Sequence, residues 1–373
     1  MTLQAVVSGM IAGDPHQGGA TWAVLQYALG LRELGHDVVV IEPVSALTDE
    51  SVEYARAVAS RFGFVGRWAL LEETSHSTAG LDYEALRAVA QRSDLLLNVS
   101  GMLTDESLIE RIPLRVYLDL DPAFIQLWHA VEGIDMHLDA HTHFVTIGTN
   151  IGALDCTIPT CERTWMTTLP PVVLNEWPVA KAMVHDAFTT VGNFRGYGSV
   201  THNEVFHGQK AHSLRSLIRL PTCTDERLLL ALAIHADETS DVDALIANQW
   251  ELVDPRDVAG TPDAYRTFVR GSKAEIGIAK SGYVISRSGW FSDRSACYLA
   301  SGRPVVAQDT GFDVALPTNE GLFAFADLDG ALSAIDDIKS DYQRHRKAAR
   351  QIAEDHLDSN KVLSRLLEQV GVA

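Results

Sequence analysis

Apolar and polar positions alternate in blocks along the chain. Residues 3–9, LQAVVSG, form a short apolar run, and across 20–34 apolar residues fall at Trp22, Leu25, Ala28, Leu29 and Leu31. Intervals of three and four place these on one helical stripe. Gly35 closes the stripe and Val38-Val39-Val40-Ile41 follows, so the chain opens as strand, loop, helix, strand. Further apolar runs lie at 95–99, 115–120 and 144–147, with a helical pattern at 83–92. Near-continuous apolar strands separated by helices predict a parallel sheet covered on both faces.

Across 157–187 the pattern weakens, and Pro159, Pro170, Pro171 and Pro178 interrupt it. It resumes with strands expected at 188–194, 228–234, 275–279 and 304–307 and a helix at 293–300. The expected organisation is a first α/β domain over 1–178 and a second over 187–340. A helical segment over 341–373 follows, with Leu357, Val362, Leu366 and Leu367 on an apolar side that caps one domain or bridges both. A length of 373 residues agrees with two domains of roughly 150–200 residues each.

Composition narrows the partners. With 46% hydrophobic and 21% charged residues the chain can build large cores. A net charge of −19, from 49 acidic and 30 basic side chains, disfavours nucleic acid and anionic lipid and favours small or neutral partners. Cys156, Cys161, Cys223 and Cys297 lack CxxC spacing, which argues against a zinc site or disulfide framework and for reduced thiols in a cytoplasm. No apolar run reaches the roughly 18–20 residues of a membrane span, and no basic leader precedes the first strand.

Candidate chemistry sits at strand ends, where doubly wound sheets bind ligands. The first loop, GDPHQGG at 13–19, sets Asp14, His16, Gly18 and Gly19 before a helix N-terminus. An imidazole titrating near about 6.5 makes His16 a candidate base, with Asp14 as its competitor. YLDLDP at 117–122 ends a strand with Asp119 and Asp121, either of which would orient that ring. Trp128 and His141 are candidates for acceptor contact with Gly18 and Gly19, and alternation puts His141 and His143 on one strand face.

In the second half, VGNFRGYGS at 191–199 again places glycines, Gly196 among them, after a strand, and Lys210 and Arg215 follow on a predicted helix. In SGWFSDRSACYLASGRPVVAQDTG at 288–311, Ser292 is an N-cap for a helix entering at Asp293, whose N–H groups would receive a diphosphate that Arg294 neutralises. Trp290 would stack on a base. Asp309, Thr310 and Gly311 follow the last strand as a plain turn.

Two stretches together resemble GT-B glycosyltransferases: GDPHQGGATWAVLQYALGLRELGHDVVVIEP in the first half and LASGRPVVA, at 299–307, in the second. The resemblance implies two Rossmann-like domains facing across a cleft, the first receiving an acceptor and the second a nucleotide-diphosphate sugar. It implies glycosyl transfer to a hydroxyl or other nucleophile, with no metal and no cofactor beyond the sugar-nucleotide co-substrate. It also implies a place near the donor sugar for Asp309, Thr310 and Gly311, as the alternative to a plain turn. Loops holding Trp68, Phe124 and Trp128 would tolerate a small apolar or aromatic acceptor. The paired glutamates of many retaining members are missing, since Gly289 and Cys297 stand in their places. A sugar-nucleotide epimerase and a non-catalytic nucleotide-sugar-binding scaffold are the alternatives.

Overall fold

The computed structural model describes residues 2–196 and 198–372. The apolar runs of the first half become strands β1 (Gln4–Ser8), β2 (Asp37–Val44), β3 (Trp68–Glu72), β4 (Thr78–Gly80), β5 (Leu95–Val99), β6 (Leu114–Asp119), β7 (His143–Thr146) and β8 (Trp165–Thr167). They form one sheet in the order β4-β3-β2-β1-β5-β6-β7-β8, parallel except at the β3–β4 edge. Val6, Val7 and Leu95 through Leu97 are wholly buried, as strands covered on both faces must be.

In the second half β9 (His185–Asn193) leads to a separate hairpin of β10 (Val200–His202) and β11 (Val205–His207). β12 (Leu228–Ala233), β13 (Glu251–Leu252), β14 (Ser272–Gly277), β15 (Val305–Gln308) and β16 (Leu322–Phe325) join β9 in an all-parallel sheet ordered β13-β12-β9-β14-β15-β16. The expected α/β architecture of two Rossmann-like units is therefore present. Its strand order reverses between β1 and β5 in the first sheet and between β9 and β14 in the second, the two places where such sheets open a crevice at their carboxyl ends.

The two units share a core. Trp22, on the helix Gly18–Glu33, packs edge-on against Trp177 with ring centres 5.0 Å apart, and Trp177 meets Tyr265 of the helix Pro262–Gly271 at 6.1 Å. The Trp22 indole N–H donates to the Pro262 carbonyl at 2.8 Å. The chain end crosses back over this seam. The helix Tyr342–Ile352 stays with the second unit, where Arg350 donates to the Ala300 carbonyl at 2.7 Å, and Ser359–Gln369 packs on the first helix through Leu363 and Gly30.

Three local differences from the sequence reading have plain causes. The run at 341–370 is not one helix: a wide turn over Ala353–Leu357 and the cap Asp358 split it. Trp165–Thr167 is a three-residue edge strand, too short to leave a periodic signal among the prolines around it. His141 and His143 do not share a strand face, because β7 begins at His143 and His141 ends a tight turn.

Candidate active site

The carboxyl ends of β9 and β14 carry a cluster of cations. Lys210 begins the helix Lys210–Ser216 after β9 and is only 7% exposed, yet it makes no hydrogen bond or ion pair among the described residues. Burial, followed by the neighbouring charge of Arg294, pushes its pKa well below the ordinary lysine value. A Cβ added at Gly192, on the last turn of β9, would lie 3.7 Å from both the Lys210 Nζ and the Arg294 Nη1, which fixes the two cations around one point of the strand end. Lys280, three residues beyond β14 and the N-cap of the helix Ser281–Ser286, adds a third charge within electrostatic reach of Lys210.

Arg294 does not stand free for a phosphate as expected. Its guanidinium turns inward and donates to Glu275 Oε1 at 2.5 Å and to the Val191 carbonyl at 3.2 Å. Both Glu275 and Arg294 are buried, and Glu275 Oε2 finds no partner among the described residues. Ser292 caps its helix as predicted, accepting from the Arg294 N–H at 3.2 Å, while burial raises the Asp293 carboxyl beside it. The helix N-terminus is thus partly satisfied by its own side chains, and among the described residues Lys210 is the buried cation of the cluster without an ion pair.

Other second-half candidates are committed elsewhere. Arg215 points away from the cluster into a two-pronged pair with Asp241, at 2.8 and 2.7 Å. Asp309 accepts from Arg287 at 2.9 Å and from the Gly311 N–H at 2.7 Å, Thr310 donates to the Trp290 carbonyl, and Gly311 has the positive φ of 86° that its turn requires. These three build the turn that holds loop 287–290. Asn150 of the first unit bonds the Arg287 and Ser288 carbonyls of that loop at 2.8 and 3.1 Å. Gly196 lies in an open loop anchored by Gln209, whose Oε1 accepts its N–H at 3.4 Å. A recess of about 220 Å3 remains between Ala279, Trp290, Ser292, Arg294 and Gln308.

The first unit faces this cluster with acids. Asp119, at the end of β6, is fully buried and accepts from Gln126 at 2.9 Å, Thr146 at 2.8 Å and the Asp121 N–H at 2.8 Å; burial raises its pKa to about 6. Its oxygens shape the strand end, and it orients Asp121. The Asp121 carboxylate crosses to the second unit, bonding Lys280 Nζ at 2.9 and 2.8 Å and accepting from the Tyr283 hydroxyl. Phe124, Trp128, Tyr283 and Trp290 surround this bridge, with the Tyr283 and Trp290 rings stacked at 4.4 Å. The structure therefore joins Trp128 and Trp290, expected on opposite substrates, in one aromatic cluster.

The expected pairing of His16 with Asp119 or Asp121 does not form. His16 is half-exposed, with φ of 67°, and bonds Glu50 at 2.9 Å; Asp14 bonds Gln17. Gly18 and Gly19 face the second unit instead of open cleft: a Cβ at Gly18 would collide with the Thr261 carbonyl, and one at Gly19 would sit 2.9 Å from the Tyr265 ring. Their missing side chains let the two units meet. His141 is buried between Asn98 Nδ2 at 3.0 Å and the His137 carbonyl at 2.9 Å, and burial lowers its pKa to about 4, so it is a neutral structural imidazole.

Sequence reasoning missed Glu42, Glu275, Lys280 and Tyr283. Glu42, 1% exposed at the end of β2, receives the Ala12 and Gly13 N–H groups of the first loop at 2.8 and 2.7 Å. The available signal for Lys280 was its place directly after an apolar strand at the reversal of the sheet. Among the described residues no group of three or more His, Cys, Asp or Glu could hold a metal ion, and no helix is long and apolar enough to cross a membrane.

No protein-family profile matches the chain, and no curated protein sequence matches it. Solved structures do. An α-glucosyltransferase in complex with UDP and a 13-mer DNA shares 11% identity at a TM-score of 0.66, covering 99% of this chain and 100% of that one. An Anabaena protein in complex with UDP and glucose shares 11% identity at 0.60, covering 98% and 99%, and sucrose-phosphate synthase from Thermosynechococcus elongatus shares 11% at 0.57, also covering 98% and 99%. Matched end to end with such structures, the chain has the GT-B fold of sugar-nucleotide glycosyltransferases.

Proposed function

We propose that the protein transfers a sugar from a nucleotide-diphosphate donor to a hydroxyl of a small acceptor. The observation that carries this reading is Lys210: buried, with no ion pair among the described residues and its pKa pushed well down, it holds a charge that is costly until an anion arrives beside it. The Lys210, Arg294 and Lys280 charges, at the reversal point of the second sheet, suit a diphosphate. UDP is the first choice because the α-glucosyltransferase and the Anabaena protein similar to this chain hold it.

The acceptor would lie against Trp128 and Trp290, whose rings suit the apolar face of a sugar or an aromatic molecule. Asp121, whose carboxylate reaches from the first unit to the second, takes the acceptor proton. As the acceptor oxygen bonds the anomeric carbon, the bond from that carbon to the phosphate oxygen breaks and its electron pair leaves with the nucleotide diphosphate, whose growing charge the cations stabilise. The −19 net charge supports a small acceptor over a nucleic acid.

The test is thermal unfolding against UDP, dTDP, GDP, ADP and CDP, followed by an acceptor screen with the matching sugar nucleotides. At about 100 times its dissociation constant the right diphosphate adds about 2.7 kcal/mol. Stabilisation by one base and product only when an acceptor is added support the proposal. No stabilisation by any diphosphate would sink it.

A further inference from the structure

One contact blocks the chemistry just described. Asp121 and Lys280 are 159 positions apart, yet they form a two-oxygen ion pair across the cleft, reinforced by the Tyr283 hydroxyl. Paired in this way, Asp121 has its oxygens engaged and cannot accept an acceptor proton, and Lys280 cannot meet a phosphate. The recess near the pair is small, about 220 Å3 of empty space counting its open mouth. The Asn150 bonds to Arg287 and Ser288 close the same seam. The first unit's acid thus stands directly against a cation of the proposed donor cluster.

We propose that Lys280 serves two anions in turn: Asp121 pairs with it across the cleft as seen here, and the donor diphosphate captures it, freeing Asp121 for the acceptor. The inference rests on the donor-site reading above. A single carboxylate is a weaker partner for the Lys210, Arg294 and Lys280 cluster than a diphosphate, which brings more charge and more acceptor oxygens to the same cations. The exchange makes binding ordered, donor before acceptor. It keeps the base occupied until a donor is in place, so an acceptor alone meets no free acid. Phe124 and Tyr283, with Lys280 Nζ 4.8 and 5.2 Å from their ring centres, offer the ammonium a path along aromatic faces as it leaves Asp121.

The experiment is a titration calorimetry cycle with UDP on the wild type, Asp121→Asn, Lys280→Ala and the double variant. If Asp121 competes for Lys280, Asp121→Asn binds UDP about tenfold more tightly, Lys280→Ala binds more weakly, and the double variant matches Lys280→Ala. Asp121→Asn binding no tighter than wild type, or an equal gain without Lys280, overturns the exchange while leaving the donor site standing. No UDP or other nucleotide diphosphate binding by any variant overturns the donor reading, and the exchange with it. Tyr283→Phe keeps the ring stack and removes one donor to Asp121. It should tighten UDP by about threefold, and it decides the question if Asp121→Asn does not fold.

Discussion

The two sheets reach the cleft with the same topology and opposite chemistry. In the first unit the loop after the central strand β1 offers the Ala12 and Gly13 N–H groups, which in a Rossmann-like unit are positioned to cradle an anion. That place is already taken: the Glu42 carboxylate accepts both, and Gly13 leaves just 3.0 Å between an added Cβ and Glu42 Oε1. In the second unit Lys210 stands buried near the end of β9, and among the described residues no carboxylate pairs with it. One unit carries its own anion, and the proposed reading gives the other the donor's. On that reading the difference accounts for a donor in the second half although the more conspicuous glycine-rich loop is in the first.

The most severe way to break this contrast is to remove the waiting charge. Lys210→Met keeps the length and apolar stem of the side chain but deletes the ammonium. Nucleotide-diphosphate affinity should fall about 100-fold or more, while thermal stability holds or rises because a buried amine with no ion pair among the described residues has gone. Calorimetry and melting curves on one preparation check both halves. A variant that loses stability along with binding would mean that Lys210 is a structural cation.

The reciprocal change acts on the filled site. In Glu42→Gln one amide oxygen remains to accept, and the NH2 group meets a backbone N–H that it cannot satisfy. The variant should unfold about 2 kcal/mol more easily in a denaturant titration, with UDP affinity within about twofold of wild type. If UDP affinity collapses instead, the first loop touches the donor and the contrast between the halves fails.

These two residues also mark where the sequence was readable. Helix Asp293–Ala300 and strands β1, β5 and β9 were legible because periodicity, a serine cap and apolar runs are local signals. Lys210 was visible as a cation after a glycine loop, though not its burial. Glu42 looked like one polar residue ending an apolar strand, and its role depends on a loop 29 and 30 positions away folding over it. Lys280 and Asp121 acquire meaning only when two separate sheets approach. The inward turn of Arg294 likewise depends on Glu275, a lone acid within an apolar β14. Local pattern carried the fold, and the charge pairing that defines the site is almost wholly long-range.

The smallest predicted effect concerns the acid at the end of β6. Burial raises Asp119 to about 6, above the ordinary carboxyl value, so between the two values the folded protein keeps a proton that the unfolded chain has released. The stability this supplies is complete below the ordinary value and is lost as the pH rises through 6. Between pH 5 and 7 the loss is about 1 kcal/mol. Asp119→Asn cannot titrate, so the pH slope of its unfolding free energy over this window should be more positive than that of wild type by about that amount, whatever other groups such as His141 contribute to both. At pH 7 the variant faces a separate cost, because its amide NH2 opposes either the Asp121 N–H or the Gln126 and Thr146 donors. Equal slopes in the two proteins would show that the three hydrogen bonds keep Asp119 ionised throughout. In that case the first unit holds a full negative charge against the cation cluster even at pH 5, and the opposition between the halves is stronger than burial alone implies.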